Sequence, residues 1–85
     1  MIGKFVASKA GHDKGQLYVI VGQEGDCLYL CDGRLKLLGC PKKKKVKHIQ
    51  LYNQTVEPEL LRKLENKEKV LDEEIKYAIK QYNRI

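Results

Sequence analysis

Five lysines fall within six positions, Lys42, Lys43, Lys44, Lys45 and Lys47, and His48 follows directly. Like charges at this density repel one another, and the compact state carries that cost unless a polyanion relieves it. The chemistry on offer is neutralisation of phosphates, in which cations displace condensed counterions from a nucleic-acid backbone and gain affinity without reading bases. A solvated loop is the bland alternative, and the string Pro41-Lys-Lys-Lys-Lys-Val-Lys47 also imitates a nuclear import signal. A second polar cluster, His12-Asp13-Lys14, is bracketed by Gly11 and Gly15, with Lys9 just before it. Glycine enters positive φ at little steric cost, so this loop can turn sharply and leave backbone N–H groups open to a ligand. His12 suits hydrogen bonding or stacking at the tip, and Asp13 suits an Asx-type bond that organises the loop itself.

Other chemistries find little footing. Cys27, Cys31, Cys40 and His48 invite a zinc reading. On a strand, however, residues four apart lie ~13 Å from each other, and two ligands of one zinc must converge at ~2.3 Å from the metal. Free thiols packed as small hydrophobes are the simpler expectation, with no metal and no cofactor. Three cysteines leave at least one unpaired if disulfides form, and with no export signal reduced thiols are expected. No phosphate-cradling Gly-rich loop with Lys and Ser or Thr, and no His-Glu-x-x-His pattern, is present, so no enzyme is expected. Tyr18 and Tyr29 have the rings to stack on bases, but alternate strand positions suit half-buried core.

The charge belongs to one part of the chain. The net +6 of the 85 residues comes from residues 1–56, which hold ten Lys or Arg against four Asp or Glu, whereas residues 57–85 hold seven against seven. Such asymmetry points to an electrostatic footprint on one module, with nucleic acid as the partner. At 42% apolar and 33% charged residues the chain is too apolar for disorder and too polar for a membrane protein. Its longest apolar run, Leu17 to Val21, is far below the roughly 20 residues of a membrane span. A cytoplasmic protein with no membrane partner is expected.

The elements that must position these residues are short. Strands are expected over residues 3–8, 16–21, 27–31, 34–37 and 46–51, with Asp32-Gly33 as a two-residue hairpin turn and residues 42–45 too like-charged for a strand interior. Five strands within about fifty residues suggest a small barrel that closes on itself to avoid open edges. After Glu57-Pro58 the pattern becomes helical. Leu60, Leu61 and Leu64 mark a first helix that breaks after Asn66; Asp72 as N-cap and Ile75, Ala78, Ile79 and Tyr82 mark a second. The fold class is thus mainly β with an α appendage, a five-stranded barrel over residues 1–56 and a helical C-terminal extension over residues 57–85. The apolar stripe of the second helix is expected to pack on the barrel.

Ser8, Ala10, Gly11, Asp13, Lys14 and Gly15, then Asp32-Gly33, then Pro41-Lys-Lys-Lys, then Lys47-His48, form an ordered set. It resembles the small bacterial KOW-domain RNA-binding proteins, related to KOW-containing large-subunit ribosomal proteins of archaea and eukaryotes. The KOW motif also occurs in transcription elongation factors of the NusG type. The resemblance covers residues 3–51; His12 stands where an arginine is common, and Val46 where a polar residue often follows the lysines. It implies an SH3-like barrel, ribosome association and contact with ribosomal RNA through Lys9, His12, Lys14, Lys42, Lys43, Lys44, Lys45, Lys47 and His48, with Gly11, Asp13 and Gly15 setting the loop geometry. Arg34 is counted with the RNA-binding residues. The alternative function is a protein-interaction adaptor that docks on ribosomal proteins or on a transcription or translation factor.

Overall fold

The computed structural model describes residues 1–9 and 15–83. Strands β1 (Lys4–Ser8), β2 (Leu17–Glu24), β3 (Cys27–Cys31), β4 (Lys42–Lys45) and β5 (Ile49–Thr55) form one antiparallel sheet in the order β4-β3-β2-β1-β5. A single 3₁₀ turn, Val46–His48, joins β4 to β5. Helices α1 (Pro58–Glu65) and α2 (Asp72–Tyr82) follow. None of the described helices is long and apolar enough to cross a membrane.

Because strand side chains alternate between faces, the pairings Val6↔Tyr18 and Ile20↔Leu30 build one apolar layer, and Phe5↔Val19 and Val19↔Cys31 build another on the opposite face. The first layer gathers Val6, Tyr18, Ile20, Leu28, Leu30 and Ile49, with Val46 packed against it. The second gathers Phe5, Val19 and Cys31 with Val56, Leu60, Leu64 and Ile75, so the helices and the sheet share one core. The register shift between Ile20 and Gly22 adds a bulge to β2, which bends the strand and increases its twist.

The sheet departs from the expected strands after β3, and its last strand starts at Ile49 rather than at residue 46. Residues 34–37 do not form the strand that follows β3. The Asp32 carboxylate accepts hydrogen bonds from the backbone N–H groups of Arg34, Leu35 and Lys36 at 2.9, 3.0 and 2.9 Å, and Lys36 O accepts from Asp32 N and Gly33 N. Donors spent locally cannot join a ladder, and Asp32 lacks the positive φ that a two-residue hairpin turn requires of both its central residues. The fourth strand is instead the lysine run, through Leu30↔Lys42, Tyr29↔Lys43, Leu28↔Lys44 and Cys27↔Lys45. Alternation divides its charge: Lys42 and Lys44 are half-buried on the inner face, and Lys43 and Lys45 are exposed on the outer. The aliphatic stems lie on apolar surface while the charges stay wet.

The sheet also stays open, against the expected barrel, because β4 and β5 are its two edges and share no pairing. The open end is covered by side chains rather than by a ladder, with Val46 and Ile49 packed into the inner cluster and Lys44 reaching across to Ser8. The edge strand β4 is a row of lysines, a sequence type that discourages pairing with another chain.

The extension follows its sequence closely. Pro58 opens α1, the Glu57 carboxylate accepts from Glu59 N and Leu60 N, and Lys67 at φ 57° ends the element just after the expected break. In α2 the geometric N-cap is Leu71 rather than Asp72, and its N–H donates to the Glu74 carboxylate at 2.9 Å. Asp72, freed from capping, accepts from Leu38 N at 2.7 Å and ties the 32–41 loop to the helix. Gly33, at φ +77°, sits against the same turn, where an added Cβ would stand 2.7 Å from Lys76 N and closer still to Asp72 O. Gly33→Ala is therefore expected to lower the melting temperature by several degrees, through left-handed strain and backbone collision together; an unchanged melt in a thermal denaturation scan would contradict this packing.

Candidate nucleic-acid interface

The base of the first loop is closed by two hydrogen bonds, Ser8 N to Gln16 O at 3.3 Å and Gly15 N to Ser8 O at 2.9 Å. Gly15 has the expected positive φ, 86°. The tip residues Gly11, His12, Asp13 and Lys14 lie outside the described residues. The lysine run comes to the same corner. Lys9 N donates to His48 O at 3.0 Å, Ser8 pairs with Ile49, and Lys44 Nζ donates to the hydroxyl of buried Ser8 at 2.6 Å. Segments more than thirty residues apart in sequence thus meet at one corner of the sheet, where Lys9, Lys45, Lys47 and His48 are exposed.

The lysines are not equivalent. Lys43 Nζ lies 3.2 Å from the Glu24 carboxylate and 5.8 Å from the centre of the Tyr29 ring, and the Tyr29 hydroxyl donates to the same carboxylate oxygen at 2.7 Å. The Tyr29 hydrogen bond, with help from Lys43, holds the Glu24 carboxyl below its ordinary range, and the Glu24 bond raises both Lys43 and the Tyr29 hydroxyl. The contribution of ionised Glu24 is complete above its unfolded pKa and is lost as pH falls through the lowered folded value. Any anion would have to compete with Glu24 for Lys43, whereas among the described residues Lys9, Lys45 and Lys47 have no ion pair. Tyr18 is core and Tyr29 is half-buried and hydrogen-bonded, so neither ring is presented as an open stacking platform.

Arg34 is not brought to this corner. It is exposed on the 32–41 loop and lines a separate cleft of about 690 Å³ with Gly15, Gln16, Lys76 and Lys80. Lys76 and Lys80 escape a reading by net charge because the extension balances overall; their i, i+4 spacing beside the apolar stripe is the signal that marks them.

Cys27 and Cys31 lie at the two ends of β3, and Cys40 is exposed on the following loop. Cys31 is fully buried between the sheet and the helices. Burial, with the Asp72 and Asp32 carboxylates nearby, pushes its thiol up to about 12. Alkylation near neutral pH is expected to modify Cys40 first and to spare Cys31 until the protein unfolds; Cys31 labelling at the rate of Cys40 would contradict this packing. Because the raised pKa favours the neutral thiol in the fold, its contribution is complete below the ordinary thiol range and is lost as pH rises from 9.0 toward about 12.

Comparison of the chain with models of known protein families, and with curated proteins, finds no match.

Proposed function

We propose that this protein binds RNA, and ribosomal RNA in particular, through phosphate contacts that wrap the β4 edge and the adjoining corner, made by Lys9, Lys42, Lys43, Lys44, Lys45, Lys47 and His48. Ser8 and Gly15, at the base of the loop whose sequence carries Gly11, His12, Asp13 and Lys14, adjoin these contacts, and His12 and Lys14 are added to them on the KOW resemblance. The observation that carries the reading is the convergence of the loop base on the lysine run, through Lys9 N to His48 O and Lys44 Nζ to Ser8 Oγ. A cationic corner built from two remote segments is a footprint for a polyanion. The fold is read as SH3-like with its β4–β5 seam open, on the strength of the four-strand meander, the 3₁₀ turn and the return of β5 to β1. Ribosomal RNA as the partner, and a cytoplasmic setting, rest on the KOW resemblance.

A second reading, an adaptor of the transcription or translation machinery, is favoured by one observation. A groove of about 830 Å³ runs between β5 and the helices, lined by Phe5, Val56, Leu60, Ala78, Tyr82 and the largely exposed Tyr77. Crosslinking the full chain in cells and sequencing the attached RNA separates the two. Ribosomal RNA at discrete positions is expected; no RNA above an uncrosslinked control, with a protein retained instead, would transfer the assignment to the adaptor.

A further inference from the structure

The cleft beside α2 gathers cations from two elements that residue counts set apart. Arg34 comes from the loop after β3, and Lys76 and Lys80 stand one turn apart on α2. The loop cannot drift from the helix. Asp32 Oδ1 accepts three of its N–H groups, Leu38 N donates to Asp72, and Gly33 fits against the backbone of Asp72 and Lys76 with no room for a Cβ. Arg34, the next residue, is thereby held at the Lys76 side of the helix.

The charges of the extension are also sorted. Arg62 pairs with Glu59 and Glu68, and Lys63 pairs with Glu74. Glu73 and Glu74 line the apolar groove on the other side of α2. Among the described residues, Arg34, Lys76 and Lys80 have no ion pair, and the one carboxylate in their cleft, Asp32, has an oxygen already committed to three backbone donors. The balanced charge of the extension thus hides a cationic stripe. Like charges at i, i+4 are unfavourable on a helix and are relieved by an anion.

The opposite wall of the cleft is Gly15, Gln16 and Leu17. Gly15 N is bonded to Ser8 O, and Lys9 N to His48 O, so the cleft opens where the lysine corner ends. Arginine offers a planar fork that can grip two phosphate oxygens, lysines act as point charges, and the exposed amides of Gln16 and Asn83 add donors. We infer that this cleft is a second phosphate subsite for the same RNA strand, which leaves the lysine corner, passes the base of the Gly15 loop and is held by Arg34, Lys76 and Lys80. The inference rests on the RNA-binding reading and makes α2 part of the interface as well as cover for the core.

The test is anisotropy of a fluorescein-labelled RNA hairpin with the full chain over a range of salt concentrations. It compares the parent with three variants: Lys76→Gln with Lys80→Gln, Lys67→Gln with Lys69→Gln as a charge-matched control away from the cleft, and Lys42 to Lys45 all →Gln. Removing Lys76 and Lys80 is expected to make the slope of log affinity against log salt shallower by about 1.4 to 1.8, two phosphates' worth, while the control shifts it by less than about 0.5. Arg34→Lys, which keeps the charge and loses the fork, is expected to weaken binding severalfold at nearly constant slope. Equal effects of the two double variants would reduce the cleft to net charge and overturn the inference. An unchanged Lys76/Lys80 variant beside a weakened Lys42–Lys45 variant would overturn the subsite and leave RNA binding standing. If neither weakens binding, both readings fall.

Discussion

Ile75→Ala is expected to destabilise the protein by about 2–5 kcal/mol, the range for emptying a fully buried aliphatic site. Ile75 has no exposed surface and is the residue of α2 that enters the cluster of Phe5, Val19, Cys31, Val56, Leu60 and Leu64. Rings that line this region, with Phe5 and Tyr82 stacked at 4.5 Å between centroids, cannot collapse far into the space vacated. At roughly 4–8 °C per kcal/mol for a domain of this size, the melting temperature should fall by about 10 °C or more. Cys31, which shares the cluster, should become open to alkylation in the same variant. A melt within about 2 °C of the parent, with Cys31 still protected, would mean that α2 does not seal the sheet.

The second large effect lies on the lysine run. Replacing Lys42, Lys43, Lys44 and Lys45 by glutamine should weaken RNA binding by about tenfold or more at moderate salt, and make the salt slope shallower by about 2 to 3, across RNAs of unrelated sequence. Each change removes a charge but keeps a side chain that can remain in β4, so the circular-dichroism spectrum should be retained. Lys44→Gln also replaces the ammonium that donates to buried Ser8, a bond that ties β4 to the loop base, by a neutral amide on a shorter arm. Binding equal to that of the parent would reduce the run to a solvated edge strand.

Where local pattern and tertiary setting agree, the elements were legible in the chain. β3 matches its expected bounds because Cys27, Tyr29 and Cys31 alternate with Leu28 and Leu30, and α1 follows Glu57-Pro58 and stops near Asn66. The lysine strand was not legible, because repulsion among four adjacent lysines is judged as if they shared one surface; in the sheet they alternate between two, and Glu24 meets one of them. Asp32-Gly33 misled for the opposite reason, a strong hairpin dipeptide whose aspartate gives its oxygen to three loop amides. The site divides along the same line. That Lys9 and His48 meet follows from β1 pairing with β5, a long-range register no local pattern encodes. The position of Arg34 beside α2 follows from Gly33 and Asp72, contacts equally invisible to charge counting.

RNA affinity of the full chain, measured against salt, tests the central claim most directly. With about five phosphates neutralised at the lysine corner alone, log affinity should fall with log salt at a slope at least as steep as roughly −3.5 to −4.5, so that raising salt from 50 to 200 mM weakens binding by at least about 100-fold. An affinity that does not change with salt, or no binding to RNA at low salt, would contradict it.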